Sequence, residues 1–408
     1  MLPSWGSAAA AAASVGVQQM TISRFSFPTA IHFGAGARKL VADHLKAHGI
    51  KRPLLVTDRG IAPLPLLQAF IADLPGFDVG IYSEIWGNPV RSQVDNGVTR
   101  FRSHQADAVI GFGGGAALDV AKAIALMATH PGDVLEYAWD HPSVRPIDRE
   151  LPHFVALPTT AGTGSEVGRS SVVSDDATHI KKIIFSPKLL AKCVFADPEL
   201  TLDLPASITA TTGMDALTHN IESYLSPEYH PLCDGIALEG VRIAARALPL
   251  AVRDGRNLQA RSDMLMSSMM GAIAFQKDLG AVHSCAHALS TVADLHHGLA
   301  NGIMIDHVMR FNLPAATAKM AELARVAGVR GAAAMSAEAA AAAFIEWLAQ
   351  MKADIGIPAK LGGLASARAV TRADIPALVD VAIKDTCHLT NPRKCTRADF
   401  ERMFAEAM

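Results

Sequence analysis

The chain has 408 residues, 50% hydrophobic, 19% charged and 6% aromatic, with a formal net charge of −2. That length exceeds what one hydrophobic core usually holds, so two domains are expected. A near-neutral balance without basic blocks argues against nucleic acid or an anionic membrane as partner, and no uncharged apolar run reaches the roughly 20 residues of a membrane span. Half of the residues can be buried, which excludes disorder for the body of the chain. Five cysteines, none in a C-x-x-C pair, suit a reducing cytoplasm rather than a disulfide framework or zinc finger.

Residues 1–20 are an Ala-rich lead without Lys or Arg, read as a disordered tail or a misplaced start with Met20 as the natural one. From Thr21 the text becomes regular. Arg38–His48 and Pro89–Gln105 are of helix length, and the runs Ile50–Asp58 (IKRPLLVTD), Asp107–Phe112 (DAVIGF) and Phe154–Leu157 read as buried strands. Such alternation predicts a parallel sheet covered on both faces. After about residue 200 the pattern becomes helical: Ile236–Val252, Asp263–Gln276, Val282–Ala293 and Ala332–Met351. The prolines of Pro198–Pro205 mark the boundary. The expectation is an α/β nucleotide-type domain over 21–200 and a helical domain over 201–408.

Gly113–Gly114–Gly115 follows DAVIGF directly and opens a helix through Asp119 and Lys122. Glycines after a strand let backbone N–H groups approach an anion, and the helix N-terminus adds its dipole. The spacing is not G-x-G-x-x-G, so a tight strand-to-helix turn is the competing reading. A second loop, PTTAGTGSE over Pro158–Glu166, concentrates hydroxyls and glycines suited to a pyrophosphate or a ribose. Asp58, ending an earlier strand, could accept from a ribose hydroxyl.

The chain holds sixteen histidines, and His283, His287, His296, His297 and His307 crowd into one short window. Asp215 and His219 stand four apart, as do His283 and His287, which puts each pair on one helical face. One carboxylate with two or three imidazoles is a borderline ligand set, suited to Fe(II) or Zn(II) rather than Ca or Mg.

Together GGGAALDVAK, PTTAGTGSE, DPELTLDLPASITATTGMDALTHNIESY, GAVHSCAHAL…LHHGLAN and TNPR resemble the iron-containing (group III) alcohol dehydrogenases, from about Ile31 to the C-terminus. The resemblance implies an N-terminal Rossmann-like α/β domain binding a nicotinamide cofactor and an all-α C-terminal domain holding one divalent metal. It assigns the metal to Asp215, His219, His283 and His297, with Fe(II) ahead of Zn(II), and puts His287 beside the nicotinamide as a proton-relay residue. The cofactor set it implies is Asp58, Gly113, Gly114, Gly115, Asp119, Thr159, Thr160, Thr163 and Lys181, with Asp58 favouring NAD over NADP. Two departures are Ala116, where the family carries serine, and His296, where it carries proline.

FQKDLGAVHS and KDTCHLTNP look most like the 4-hydroxybutyrate dehydrogenases. The implied reaction interconverts a primary alcohol or short ω-hydroxy acid and its aldehyde, with Lys277 or Arg169 holding a substrate carboxylate. The family also implies a homodimer or larger homo-oligomer. A second reading is an NAD- and metal-dependent lyase of the dehydroquinate synthase type. A third is a nucleotide-binding protein without chemistry.

Overall fold

The computed structural model describes residues 27, 29–362, 364 and 368–408, so the Ala-rich lead lies outside the described residues. The first half alternates strand and helix: β1 (Ala30–Phe33), α1 (Val41–Ala47), β2 (Pro53–Val56), α2 (Pro65–Ala72), β3 (Gly80–Tyr82), α3 (Arg91–Ser103), β4 (Ala108–Gly113), α4 (Gly115–Thr129) and β5 (His153–Pro158). It closes with a hairpin of β6 (Ser170–Ser174) and β7 (Lys181–Phe185), then β8 (Cys193–Ala196). Six strands form one parallel sheet in the order β1-β8-β5-β4-β2-β3.

Both faces of that sheet are buried, which explains the near-continuous apolar runs of β2, β4 and β5. Alternation sends Val109, Phe154 and Ala156 into one core layer beneath α3 and α4. Ile110, Phe112, Val155 and Leu157 enter the opposite layer, with Val41 and Leu45 of α1. The strand order reverses between β2 and β4, and a crevice at the carboxyl ends of such strands is where doubly wound sheets bind ligands.

The second half is helical: α5 (Ala206–Leu225), α6 (Pro231–Arg253), α7 (Leu258–Ala274), α8 (Ala281–Ala293), α9 (His297–Val326), α10 (Ala337–Asp354), α11 (Ile375–Ala382) and α12 (Arg397–Ala407). Helix α5 runs through the middle, packed against α6, α7 and α9, and is buried on nearly every side from Gly213 to Ser223. Its polar side chains are therefore met from within the domain, as when Asn220 Nδ2 donates to the carbonyls of Ala216 and Ser267 at 2.8 and 3.0 Å. Helix α9 approaches it closely at Gly298, where a Cβ would lie 2.2 Å from the carbonyl oxygen of Thr211.

The two halves are joined by apolar packing. Leu265, Met269 and Ala272 of α7 belong to the same buried layer as Val109 and Ile124. No helix among the described residues is long and apolar enough to cross a membrane.

Candidate active site

A cleft of about 1120 Å³ opens between the carboxyl end of the sheet and helices α5, α8 and α9. Its sheet side is built from the two loops singled out above. Strands β4 and β5 pair in register up to Gly113 and Pro158, and Thr159 N–H donates to the Gly113 carbonyl at 3.0 Å, so the loops leave the sheet side by side. Thr160 packs over Gly114 and Thr163 over Gly115. At Gly115 a Cβ would stand 2.6 Å from Thr163 Cγ2, which is why only glycine fits.

Asp58 sits beside Gly113, its Oδ1 accepting from the backbone N–H of Gly60 and Ile61 at 2.8 and 2.9 Å. Asp119 lines the cleft but is pinned from within by Ser165 Oγ at 2.6 Å and Val172 N–H at 3.1 Å. The buried Lys122 ammonium donates to the carbonyls of Ser165, Gly168 and Ser170 at 2.6, 3.2 and 2.8 Å, tying α4 to the second loop. Lys181, on the β6–β7 hairpin, also lines the cleft. Burial lowers its pKa to about 8 against the opposing pull of Asp215 and Asp119.

Facing this surface is a buried polar cluster from three helices. Asp215 and His219 lie on α5, one turn apart, His283 on α8 and His297 at the first turn of α9. The Asp215 Oδ1 atom is 3.4 Å from His297 Nε2, 3.8 Å from His283 Nε2 and 3.9 Å from His219 Nε2. Burial opposes ionisation of Asp215, yet the His219, His297 and His283 rings hold its carboxyl well below the usual carboxylate range. Burial pushes His219 down to about 4 and His297 well below its ordinary value. The set thus brings an anionic oxygen, the neutral rings of His219 and His297, and the His283 ring to one point, the donor types that hold a borderline divalent ion.

Neighbouring side chains orient these donors. Glu222, one turn beyond His219 on α5, accepts from His283 Nδ1 at 2.6 Å, which turns Nε2 toward Asp215. Burial would lower the His283 pKa, but Asp215 and Glu222 raise it to about 9. Asn301 donates to Asp215 Oδ1 at 2.7 Å and lies 3.3 Å from both His283 Nε2 and His297 Nε2. Its own Oδ1 is buried with no hydrogen-bond partner among the described residues.

His287 stands apart from this convergence. Its ring stacks on His297 with centroids 5.2 Å apart, and its Nδ1 meets Asp385 Oδ2 at 2.8 Å. Asp385 is held in turn by Ser284 Oγ at 2.7 Å and the Cys387 N–H at 2.9 Å. Burial raises the Asp385 pKa, but His287 and these donors hold it well below the usual range.

Sequence reasoning missed Glu222, Asn301 and Asp385. Asn301 follows His297 by four residues, the spacing that drew attention to Asp215 and His219, and Asp385 lies inside KDTCH.

Other expected residues are spread differently. His296 lines the cleft and accepts from the Leu299 N–H as the cap of α9, whereas His307 lies away, against the Ala359 carbonyl. Arg169 lines the cleft, its guanidinium 5.1 Å from the Phe185 ring centroid. Lys277 requires a correction. It is 1% exposed, does not line the cleft, and gives its ammonium to Asp234 of α6 at 2.5 Å. A tight turn over Phe275–Lys277 directs the side chain into the helical domain, so it cannot meet a substrate carboxylate.

Comparison with known proteins joins the two walls of the cleft. Residues 28–198 match the model of the iron-containing alcohol dehydrogenases, and residues 209–408 match the C-terminal model of the same family. The chain is 38% identical to 4-hydroxybutyrate dehydrogenase of Cupriavidus necator over 93% of its own length and 98% of that protein's. It superposes on a 1,3-propanediol oxidoreductase crystal structure with a TM-score of 0.89 at 36% identity, covering 95% of this chain and all of the other. It also superposes on sulfoacetaldehyde reductase of Bifidobacterium kashiwanohense in complex with NAD+, with a TM-score of 0.83 at 28% identity and coverage of 95% and 99%. With a parallel sheet ending in glycine and threonine loops on one wall, an acid–imidazole cluster on the other and both family models matched end to end, the chain belongs to the iron-containing alcohol dehydrogenase family and is an oxidoreductase.

Proposed function

We propose that the protein is a cytoplasmic, homo-oligomeric NAD(H)-dependent dehydrogenase that interconverts a short ω-hydroxy acid such as 4-hydroxybutyrate, or a primary alcohol, and its aldehyde. One divalent metal, Fe(II) ahead of Zn(II), is held by Asp215, His219, His283 and His297. The observation that carries this reading is the convergence of those four side chains opposite the Gly113–Gly115 loop in a single cleft. When bound, the metal supplies Lewis acidity toward the substrate oxygen and the nicotinamide exchanges the hydride.

The chain's own residues do the rest. Backbone N–H groups at Gly114 and Gly115 and the hydroxyls of Thr160 and Thr163 receive the pyrophosphate at the start of α4. Asp58 accepts from the adenosine ribose, and its charge opposes a 2′-phosphate. His287 moves the proton between the substrate oxygen and solvent, and Asp385 fixes its ring and tautomer.

Among the described residues, Arg169 and Lys181 are the only Lys or Arg side chains lining the cleft. That supports a substrate with one anionic group more than a polyanionic sugar phosphate. The 4-hydroxybutyrate dehydrogenase relative supports the same substrate class. The five unpaired cysteines support a reducing compartment.

The test is steady-state kinetics of the purified, metal-assayed protein with NAD and NADP on an alcohol and hydroxy-acid panel. Arg169→Ala should raise KM for 4-hydroxybutyrate at least about 10-fold, the order expected for a lost charge-assisted pair, while KM for 1-butanol stays within about twofold. Equal effects on both substrates overturn the carboxylate assignment. His287→Ala should lower turnover and keep the metal, and loss of metal would refute the ligand set.

A further inference from the structure

Three of the sixteen histidines gather at the end of the sheet remote from the cleft, where neither the hydride chemistry nor the cofactor uses them. His44 and His48 are four apart, at the end and C-cap of α1, so they project from one side of that helix. His153 opens β5, and alternation along the strand places it on the same face as Val155 and Leu157, the face that α1 covers with Val41 and Leu45. Three imidazoles are thereby brought to one spot by two elements whose packing is set by the core beneath them.

The rings converge closely. His44 Nε2 and His153 Nε2 are 2.9 Å apart, and the His48 ring centroid lies 4.4 Å from each of the other two. One ligand atom from each residue falls within 4.8 Å of the others. His48 Nδ1 donates to the His44 carbonyl at 2.8 Å, which fixes the tautomer and leaves the Nε2 lone pair bare. That is how backbone carbonyls prepare metal-bound histidines. Burial, reinforced by the neighbouring imidazoles, lowers the pKa of His44 and brings that of His153 to about 4, so both rings are neutral near pH 7.

We propose that His44, His48 and His153 form a second metal site, for a borderline divalent transition ion of the zinc class, separate from the cluster in the cleft. Three imidazoles without a carboxylate exclude Mg and Ca and suit Zn, Ni or Cu(II), with solvent completing the coordination. The strand from His153 to the cleft-side Pro158 spans five residue steps, about 17 Å at 3.3 Å each. The ion therefore acts on the fold and not on the substrate: it fastens α1 to the start of β5, and ligation of the folded state alone stabilises that domain.

The experiment is Zn²⁺ titration of the full-length protein with its cleft metal already in place, read as metal content after desalting and as thermal midpoint. Wild type should take up one further equivalent and melt at a higher temperature. His48→Ala, which removes an exposed side chain, and His153→Gln should each weaken that uptake by at least about 10-fold, with cleft-metal content and alcohol turnover unchanged. If wild type takes up no further zinc, or if both variants take it up as wild type does, the second site does not exist.

Discussion

Glu222→Gln is a sharp test of how the cleft is organised, because it changes one atom in a residue that touches neither substrate nor cofactor. Glu222 accepts three hydrogen bonds: Oε1 from the Val282 N–H at 2.7 Å, and Oε2 from the His283 N–H at 3.3 Å and from His283 Nδ1 at 2.6 Å. It thereby caps the buried N-terminus of α8 and sets the tautomer of a candidate ligand at once. Glutamine keeps one acceptor and replaces the other with an NH₂ group. If its oxygen stays on Val282, the NH₂ meets the donors of His283. The imidazole then loses its hydrogen bond or moves its proton to Nε2, the nitrogen that faces Asp215 at 3.8 Å.

Either way metal affinity should fall about 10- to 100-fold, as when an orienting partner is removed, or roughly 1.4–2.7 kcal/mol. The metal-free protein should also lose about 1.5–3 kcal/mol, the range for a hydrogen bond to a charged group. The assay is competition against a chelator of known affinity, with turnover measured at saturating metal. Wild-type affinity within twofold would refute the orienting role, and loss of turnover that excess metal does not restore would mean that Glu222 acts on the chemistry itself.

Other consequences follow from the same geometry. Asp385→Asn should lower turnover about 10- to 100-fold with full metal content, since asparagine cannot accept from His287 Nδ1 and Ser284 together as a carboxylate does; metal analysis beside kcat checks it. Gly115→Ala forces the glycine loop away from Thr163, and should raise KM for NAD by about 10-fold and cost about 1–3 kcal/mol by thermal melting. Glu166 is buried, its Oε1 has no hydrogen-bond partner among the described residues, and burial raises its pKa from 4.5 to about 7. The folded protein then holds a proton that the unfolded chain releases, so stability should decline as pH rises from about 4.5 to 7 and stay level above. That shift is worth roughly 3 kcal/mol. Glu166→Gln should flatten this slope and be the more stable protein at pH 8; an unchanged urea-denaturation profile across pH 5–8 would contradict it.

The sequence was legible where burial is symmetric or helical periodicity regular. DAVIGF and FVAL sit in the middle of the sheet, covered on both faces, and their apolar runs appear as β4 and β5. The edge strand β1 is mostly exposed and only four residues long, and β3 has three residues, so neither leaves a pattern to find. The β6–β7 hairpin mixes serines and lysines with valine and isoleucine because it arches over the cleft. Helix α10 begins at Ala337 rather than 332 because Ser336 caps it, a signal that the surrounding alanines obscure.

In the cleft, spacing drew attention to Asp215, His219 and His283 because each projects from a helix with its neighbour one turn away. Glu222 and Asp385 meet their histidines across 61 and 98 residues, contacts that only the packing of α5, α8 and the C-terminal segment creates. Lys277 shows the opposite error: six residues from a ligand along the chain, it points into another core.

The shared layer formed by α7 bears on any attempt to recombine this enzyme with its relatives. A cut between β8 and α5 looks natural, since the two family models meet there. An N-terminal half severed at that point would lose Leu265, Met269 and Ala272 and uncover the apolar surface beneath them. It would also free Gly164, whose absent side chain lets the loop lie against Ala272. The unit that can be exchanged intact is therefore discontinuous, sheet plus α7, and a chimera that honours only the linear boundary inherits a mismatched seam along its cleft.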